Sequence, residues 1–519
     1  MIRNCPWLVF ALVFFWKVAL FVFTAQPVPA NDAFFYDGGV VHYLLHGGYF
    51  NPSITQAFPI SGTEFFSAYP PGYQIPLLAW MSVFGVSVVS AMALHLTLFG
   101  LYLLVLLAIF RRLEIPAWCV NVAGAFLLLF TFHDRPDSFA QLMGVAALYS
   151  CIRSRRILGR GKDSNPAFWS WLMAILIIAA LCTGLQIGAM YLGIVLVCTV
   201  AASHFAGEKL PVAPLAAMVL APIALALAVK FGMPRAWAGF MENVRQTPSI
   251  SGLRMPALGE ILKVVRTVPA ILLVALLLPI SWLKQHEDFE SNAGRREEIV
   301  LLSVLLPALG IIVASLTVIT SNSIAFANYL QPLIVASYLA LTASLRTGDS
   351  WLRLQVACLV PAVLMGSVRA VGMTTWGVAC AMDFSHADSV KRVESELANH
   401  PPGYRVVMSS AFLYDAAHHG ELTFYHSDWM AVAHGDSRIT DVQALTTLKP
   451  EKLILTQFDY YRRYQTVLER ARSNPGLKDI QVINTARTRP PDSYKSLQQV
   501  VQHISWAPVI VNLSWRAGP

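Results

Sequence analysis

The chain of 519 residues is 56% hydrophobic, only 13% of it is Asp, Glu, Lys or Arg, and its mean hydropathy is +0.55. That charged share is about half of what soluble domains carry, which excludes an ordinary water-soluble fold. A net charge of +8 would suit a nucleic-acid binder among soluble proteins; in so apolar a chain its source is basic residues held in cytoplasmic loops, and no nucleic-acid partner is expected.

Taken in order, the runs Pro6 to Phe23, Ala91 to Phe110, Leu185 to Ala202, Val212 to Val229, Ile299 to Ile319 and Leu352 to Val371 meet the roughly 20 apolar residues that a bilayer core requires. The same length rule gives about eleven spans in all. The first run follows Arg3 and is read as a retained helix, although Val28-Pro29-Ala30 has the look of a signal-peptide cleavage site. Cleavage there would leave the later topology unchanged. The seven Cys lie in or beside apolar runs without CxxC spacing, so they read as small buried hydrophobes rather than a metal or disulfide framework.

Basic residues set the orientation. With the N-terminus cytoplasmic, Arg111-Arg112, the cluster from Arg153 to Lys162, Lys209, Lys284, Arg295-Arg296, Arg346 and Arg353 all fall inside. The loop from Pro27 to Tyr69 holds neither Lys nor Arg and falls outside, as the positive-inside rule requires. One loop departs from the rule. Lys230 to Arg266 falls outside yet contains Arg235, Arg245, Arg254 and Lys263. Either the flanking helices override the charge bias, or the loop is a basic lip that draws in a phosphate-bearing ligand.

Residues 1–382 thus read as one membrane unit. Residues 383–519 read as a small α/β domain. Its expected elements are a helix over Ala387 to His400, strands at Arg405 to Met408, Lys452 to Thr456, Ile480 to Asn484 and Pro508 to Leu513, and an amphipathic stretch from Tyr460 to Ser473. An odd number of spans places this domain outside. Its histidines, His418-His419 and His426 with Asp428, could coordinate a metal, but such residues more often lie on a solvated face, where they are expected.

Polar chemistry gathers in two external loops. Asp32 stands at the exit of the first helix in a loop without basic partners, and a carboxylate near low dielectric gains basicity. That suits a general base for an attacking hydroxyl; an Asp just before a helical run is equally suited to cap it. His42 and His46 share a helical face and could pair on a metal with Asp37 or Asp32, or simply face the loop. Tyr69-Pro70-Pro71 fixes an extended turn before a helix. In the second loop, His133-Asp134-Arg135-Pro136-Asp137, Arg135 could clamp a phosphate while Asp134 or Asp137 orients it or holds a divalent ion. The alternative is a local ion pair capping the next helix.

These features together resemble the GT-C superfamily of membrane glycosyltransferases, in the branch of protein-O-mannosyltransferase-like, aminoarabinose-transferase-like and rhizobial lipopolysaccharide galacturonosyltransferase-like proteins. The residues that carry the resemblance are Asp32 with Tyr36, Gly47-Gly48, Tyr69 to Pro71 with Phe84-Gly85, Arg135 to Asp137, and Asn328-Tyr329-Leu-x-Pro332. Two positions depart from the pattern. Ala33 follows Asp32 where many relatives have Glu, and Thr183-Gly-Leu-Gln186 lacks the Lys common in that segment.

The resemblance implies a mainly α, polytopic helical bundle of GT-C type with a small non-cytoplasmic C-terminal α/β domain, set in the bacterial inner membrane. It implies transfer of a sugar from a polyprenyl-phosphate donor to a hydroxyl of a lipid, polysaccharide or protein acceptor of the cell envelope, with inversion. Asp32 is then the base, and Tyr36, Asp37, Tyr69, Asp134, Arg135, Asp137, Arg245, Arg254, Asn328 and Tyr329 are the substrate-binding candidates. No metal ligand is assigned, and a divalent ion is left open. A flippase for a lipid-linked saccharide is the main alternative, and a non-catalytic scaffold whose outer domain binds a partner is a second; the internal repeats usual in transporters are not evident, and Lys17 is the one obvious charge deep in a span.

Overall fold

A computed structural model of the chain describes residues 5–29, 33–54, 71–128, 136–154, 165–206, 209–246, 323–344, 349–427, 441–487 and 495–516. The membrane part contributes α1 (Leu8–Thr24), α2 (Ala33–His46), α3 (Gln74–Phe84), α4 (Val88–Arg112), α5 (Ala117–Ala125), α6 (Asp137–Ser154), α7 (Pro166–Leu181), α8 (Leu185–Ala206), α9 (Val212–Gly232), α10 (Pro234–Gln246), α11 (Ser323–Ser344) and α12 (Asp349–Asp383). Among the described residues, α4, α9, Leu185–Ser203 of α8 and Leu359–Asp383 of α12 are long and apolar enough to cross a bilayer. α1, α3 and α7 are shorter apolar helices. On α9 the side chains of Val219, Leu220, Ile223 and Leu227 are exposed, an apolar face that lipid covers in place of protein.

Local chemistry fixes the helix ends. Ser87 caps α4 by accepting from Ser90 N–H, and Asn165 caps α7 ahead of Pro166. Gly85 ends α3 at φ +85°, the left-handed region where a side chain is strained. Inside the bundle α6 and α8 meet at Gly144, where an added Cβ would fall 2.0 Å from Tyr191 Cδ2. Lys17 lies on α1 among aromatic rings. Its ammonium lies 5.1 Å from the centre of the Trp16 ring and 5.9 Å from that of Phe99, a cation–π arrangement.

Two stretches assigned to external loops contain helices, the first of them the helical run expected after Asp32. α2 falls within Pro27 to Tyr69, and its residues from Ala33 to Val41 are all buried. α10 occupies part of Lys230 to Arg266. It is amphipathic, with Trp237 and Phe240 rings 5.9 Å apart. Such a helix suits an interface rather than a span, so a search for long apolar runs passes over it.

Beyond Asp383 come α13 (His386–Leu397), β1 (Arg405–Met408), α14 (Ser410–Ala416), β2 (Thr423–His426), α15 (Asp441–Leu448), β3 (Lys452–Leu455), α16 (Gln465–Ala471), β4 (Leu477–Asn484), α17 (Lys495–Ile504) and β5 (Val509–Trp515). Ser385 and Asp388 form a reciprocal capping box at the start of α13. The sheet order is β2-β1-β3-β5-β4. β1 pairs parallel with β2 and β3, and β5 pairs antiparallel with β3 and β4. Alternation along β1 divides the interior. Val406 and Met408 join the core shared with the membrane helices, whereas Val407 joins a second core with Leu453, Val511, Leu445 and Leu468. One face of the sheet is therefore continuous with the bundle.

Candidate active site

The α/β layer grips the chain on both sides of Asp32. On the near side, Gln26 Nε2 donates to Ile504 O at 2.7 Å and to Gly377 O at 3.1 Å. Trp506 Nε1 donates to Ala25 O at 3.0 Å. On the far side, Phe34 N–H donates to Ser410 Oγ at 3.4 Å, and the Phe34 ring meets Tyr414 edge-on with centroids 5.0 Å apart. Tyr414 Oη donates to Asp37 Oδ2 at 2.8 Å, and His46 Nε2 lies 2.9 Å from Ala417 O. Ser410, Tyr414 and Ala417 recur at helical spacing, so a single face of the α14 turn holds α2.

Small residues let α2 approach its own return loop. Asn51 Nδ2 donates to Phe34 O at 3.0 Å, and a Cβ on Gly38 would fall 2.2 Å from that same nitrogen. Ser410 is held in turn from within the sheet, with Oγ 2.6 Å from His426 Nε2. His426, expected on a solvated face, is 1% exposed; it ends a strand whose neighbour β1 buries it. Deeper in the layer, burial pushes the Asp459 carboxyl up, opposed by the hydroxyls of Ser409 and Thr456 and by Arg463. On α14, burial and then the nearby Glu394 push the Asp415 carboxyl up to about 6.

A second polar cluster joins the loop after Pro71 to the start of α6. Tyr73 Oη lies 2.8 Å from His95 Nε2, and His95 Nδ1 lies 2.8 Å from Ser138 Oγ. His95 is fully buried within the apolar α4. Ser138 follows Asp137, which is itself buried. Gly72 N–H donates to Cys182 O at 2.8 Å, and a Cβ there would fall 2.6 Å from Thr183 Oγ1 and 2.7 Å from Cys182 O. The cluster thus brings Gly72-Tyr73, the Asp137-Ser138 start of α6 and the Cys182-Thr183 connection together.

The predicted site residues separate accordingly. Tyr36 and Asp37 are buried on α2, and Asp137 opens α6. Asn328 and Tyr329 lie on α11. Tyr329 packs edge-on against Tyr102 of α4 at 5.4 Å, and its carbonyl accepts from the Tyr102 hydroxyl. Arg245 falls in the last turn of α10. Asp32, Tyr69, Asp134, Arg135 and Arg254 lie outside the described residues. Among the described residues no three His, Cys, Asp or Glu side chains are grouped as metal ligands. Sequence reasoning missed His95, Ser138, Ser410 and Tyr414. Of these, only His95 left a signal, as an ionisable side chain inside an otherwise apolar span.

No family model matches the sequence, and no curated protein matches it. Among solved structures, the chain is similar to ArnT from Cupriavidus metallidurans bound to undecaprenyl phosphate, with 14% identity, 97% of each chain covered and a TM-score of 0.54. The chain has the fold of this ArnT. The apo form of the same ArnT (14% identity, 97% of each chain, TM-score 0.44) and the oligosaccharyltransferase AglB from Archaeoglobus fulgidus (10% identity, 92% of this chain and 73% of that one, TM-score 0.45) are also similar. At 97% coverage, the GT-C match to ArnT takes in the α/β layer together with the bundle.

Proposed function

We propose that this protein is a GT-C membrane glycosyltransferase. It moves a sugar from a polyprenyl-phosphate donor to a hydroxyl of a cell-envelope acceptor at the non-cytoplasmic face of the bacterial inner membrane. The N-terminus is cytoplasmic and the α/β layer periplasmic. The observation that carries this reading is the double grip on the flanks of Asp32, through Gln26 with Trp506 on one side and Phe34 and Asp37 with α14 on the other. A base must be held in place to act, and anchors at Gln26 and Phe34, on either side of residue 32 in the chain, support that reading. The undecaprenyl phosphate bound to ArnT supports a lipid-phosphate donor, since the two chains share a fold from end to end; fold alone does not carry function.

In this reaction Asp32 takes the proton from the acceptor hydroxyl. The freed oxygen attacks the anomeric carbon from the face opposite the phosphate, and the C–O bond to phosphate breaks with inversion. Polyprenyl phosphate leaves with the electron pair. Arg135 meets its growing charge, with Arg245 and Arg254 as the basic lip that first attracts the donor. Tyr69, Asp134, Asp137, Asn328 and Tyr329 complete the donor and acceptor contacts. Tyr36 and Asp37, both buried on α2, act as positioning residues, Asp37 through the bond it accepts from Tyr414 of α14.

The test is turnover. Protein reconstituted in lipid with a labelled polyprenyl-phosphate sugar pool and an envelope extract transfers label and releases polyprenyl phosphate. Movement of intact lipid-linked sugar across the bilayer, with no release, would instead make the protein a flippase.

A further inference from the structure

A cavity of about 260 Å³ lies between α2 and the turn joining α14 to β2, lined among others by Phe34, His42, His46, Ser53, His419 and Phe424. Two of its imidazoles have their tautomers fixed by backbone carbonyls. His42 Nδ1 lies 2.7 Å from Gly48 O; a carbonyl only accepts, so Nδ1 carries the proton and Nε2 a lone pair. His46 Nε2 lies 2.9 Å from Ala417 O, which by the same argument leaves the lone pair on Nδ1. The rings are 4.8 Å apart, and Phe50 lies 4.0 Å from the His42 ring. Among the described residues neither remaining nitrogen has another partner.

Two lone pairs side by side choose their ligand. They repel an anionic oxygen, and burial lowers the His42 pKa, which keeps that ring neutral. A metal ion would take both, but among the described residues no third ligand is grouped with them, and small closed metal sites use three or four. What fits is a neutral molecule with several O–H donors and an apolar face, set against Phe34 and Phe424. The volume falls just below the roughly 300–1,000 Å³ of common ligand pockets, enough for one ring and too little for an oligosaccharide or a lipid.

We propose that this cavity binds a single sugar ring of the acceptor, whose hydroxyls donate to His42 Nε2 and His46 Nδ1. The assignment to the acceptor rests on the glycosyltransferase reading; the cavity's preference for a neutral sugar does not. The wall of the cavity starts at Phe34, two places after Asp32 in the chain, so a ring held here belongs to the partner that gives up its proton.

The test uses the full chain in nanodiscs and saturation-transfer NMR with methyl glucoside, methyl galactoside, inorganic phosphate and Zn²⁺. At least one methyl glycoside receives saturation, and phosphate does not compete. His42→Asn keeps a donor near the Nδ1 position and His46→Gln one near Nε2, while each deletes its lone pair. Each weakens glycoside binding about fivefold or more, as loss of one hydrogen bond requires. Should a variant fail to fold, the wild type decides: with ¹⁵N-histidine, the His42 Nε2 and His46 Nδ1 resonances shift on adding the glycoside. No glycoside contact, unaltered binding by folded variants, unmoved resonances, or tight Zn²⁺ or phosphate binding at these rings would each overturn the proposal. Glycoside binding without sugar transfer would keep the cavity and sink the enzyme, and transfer without glycoside binding would do the reverse.

Discussion

Tyr414 Oη donates to Asp37 Oδ2 at 2.8 Å, joining residues 377 positions apart. Both are completely buried, so the bond is shielded from water and its loss is felt. Tyr414→Phe keeps the edge-on contact with Phe34 and removes only the donor. Stability falls by about 1–3 kcal/mol, and turnover falls with it as α2 loosens. Thermal unfolding in nanodiscs checks this, and an unchanged melting temperature would mean that the hydroxyl does nothing for docking.

Gly72 allows two connections to touch. In Gly72→Ala the new Cβ meets Cys182 O at 2.7 Å, and backbone cannot step aside as a side-chain tip can. The cost is roughly 1–3 kcal/mol, with loss of the hydrogen bond to Cys182. Unfolding measurements on the variant give the cost directly.

His95 connects Tyr73 and Ser138. His95→Leu deletes both bonds within an apolar helix, costing about 1–3 kcal/mol for each hydroxyl that loses this partner. His95→Gln can restore one bond and falls between Leu and the wild type in melting temperature. Equal melting temperatures for Leu and wild type would remove the cluster from the account.

Asp415 makes stability depend on pH. Its folded pKa of about 6 lies above the roughly 3.9 of an unfolded Asp, so the folded chain holds the proton longer. Stability from this group is greatest below pH about 4 and is lost as pH rises to about 6. Asp415→Asn therefore gains stability over the wild type at pH 7 to 8, and the gain vanishes near pH 4. Unfolding curves at several pH values check the sign.

The apolar helices were the most legible part of the chain. Pro6 to Phe23 became Leu8–Thr24, Ala91 to Phe110 became Val88–Arg112, and Val212 to Val229 became Val212–Gly232, because twenty apolar residues have few other fates. Of the sheet's five described strands, four were legible by their β-branched runs. β2 was not, since Thr423-Phe-Tyr-His426 is short and follows a histidine-rich turn. α2 was legible as a helical run after Asp32, but its burial was not. Its first nine residues are buried by α14 and by Asn51, and no local periodicity announces a partner hundreds of residues away. The same distance hid Ser410 and Tyr414. Asp37, singled out for its place near Asp32, turns out to owe its setting to Tyr414.

The most direct test of the account is the turnover of Asp32→Asn. With the flanks of residue 32 still gripped, the variant folds and binds the polyprenyl-phosphate sugar like the wild type. Transfer to the acceptor drops by about 10²–10⁴, the contribution of a general base. Transfer at the wild-type rate by the folded variant would contradict the assignment on which the mechanism is built.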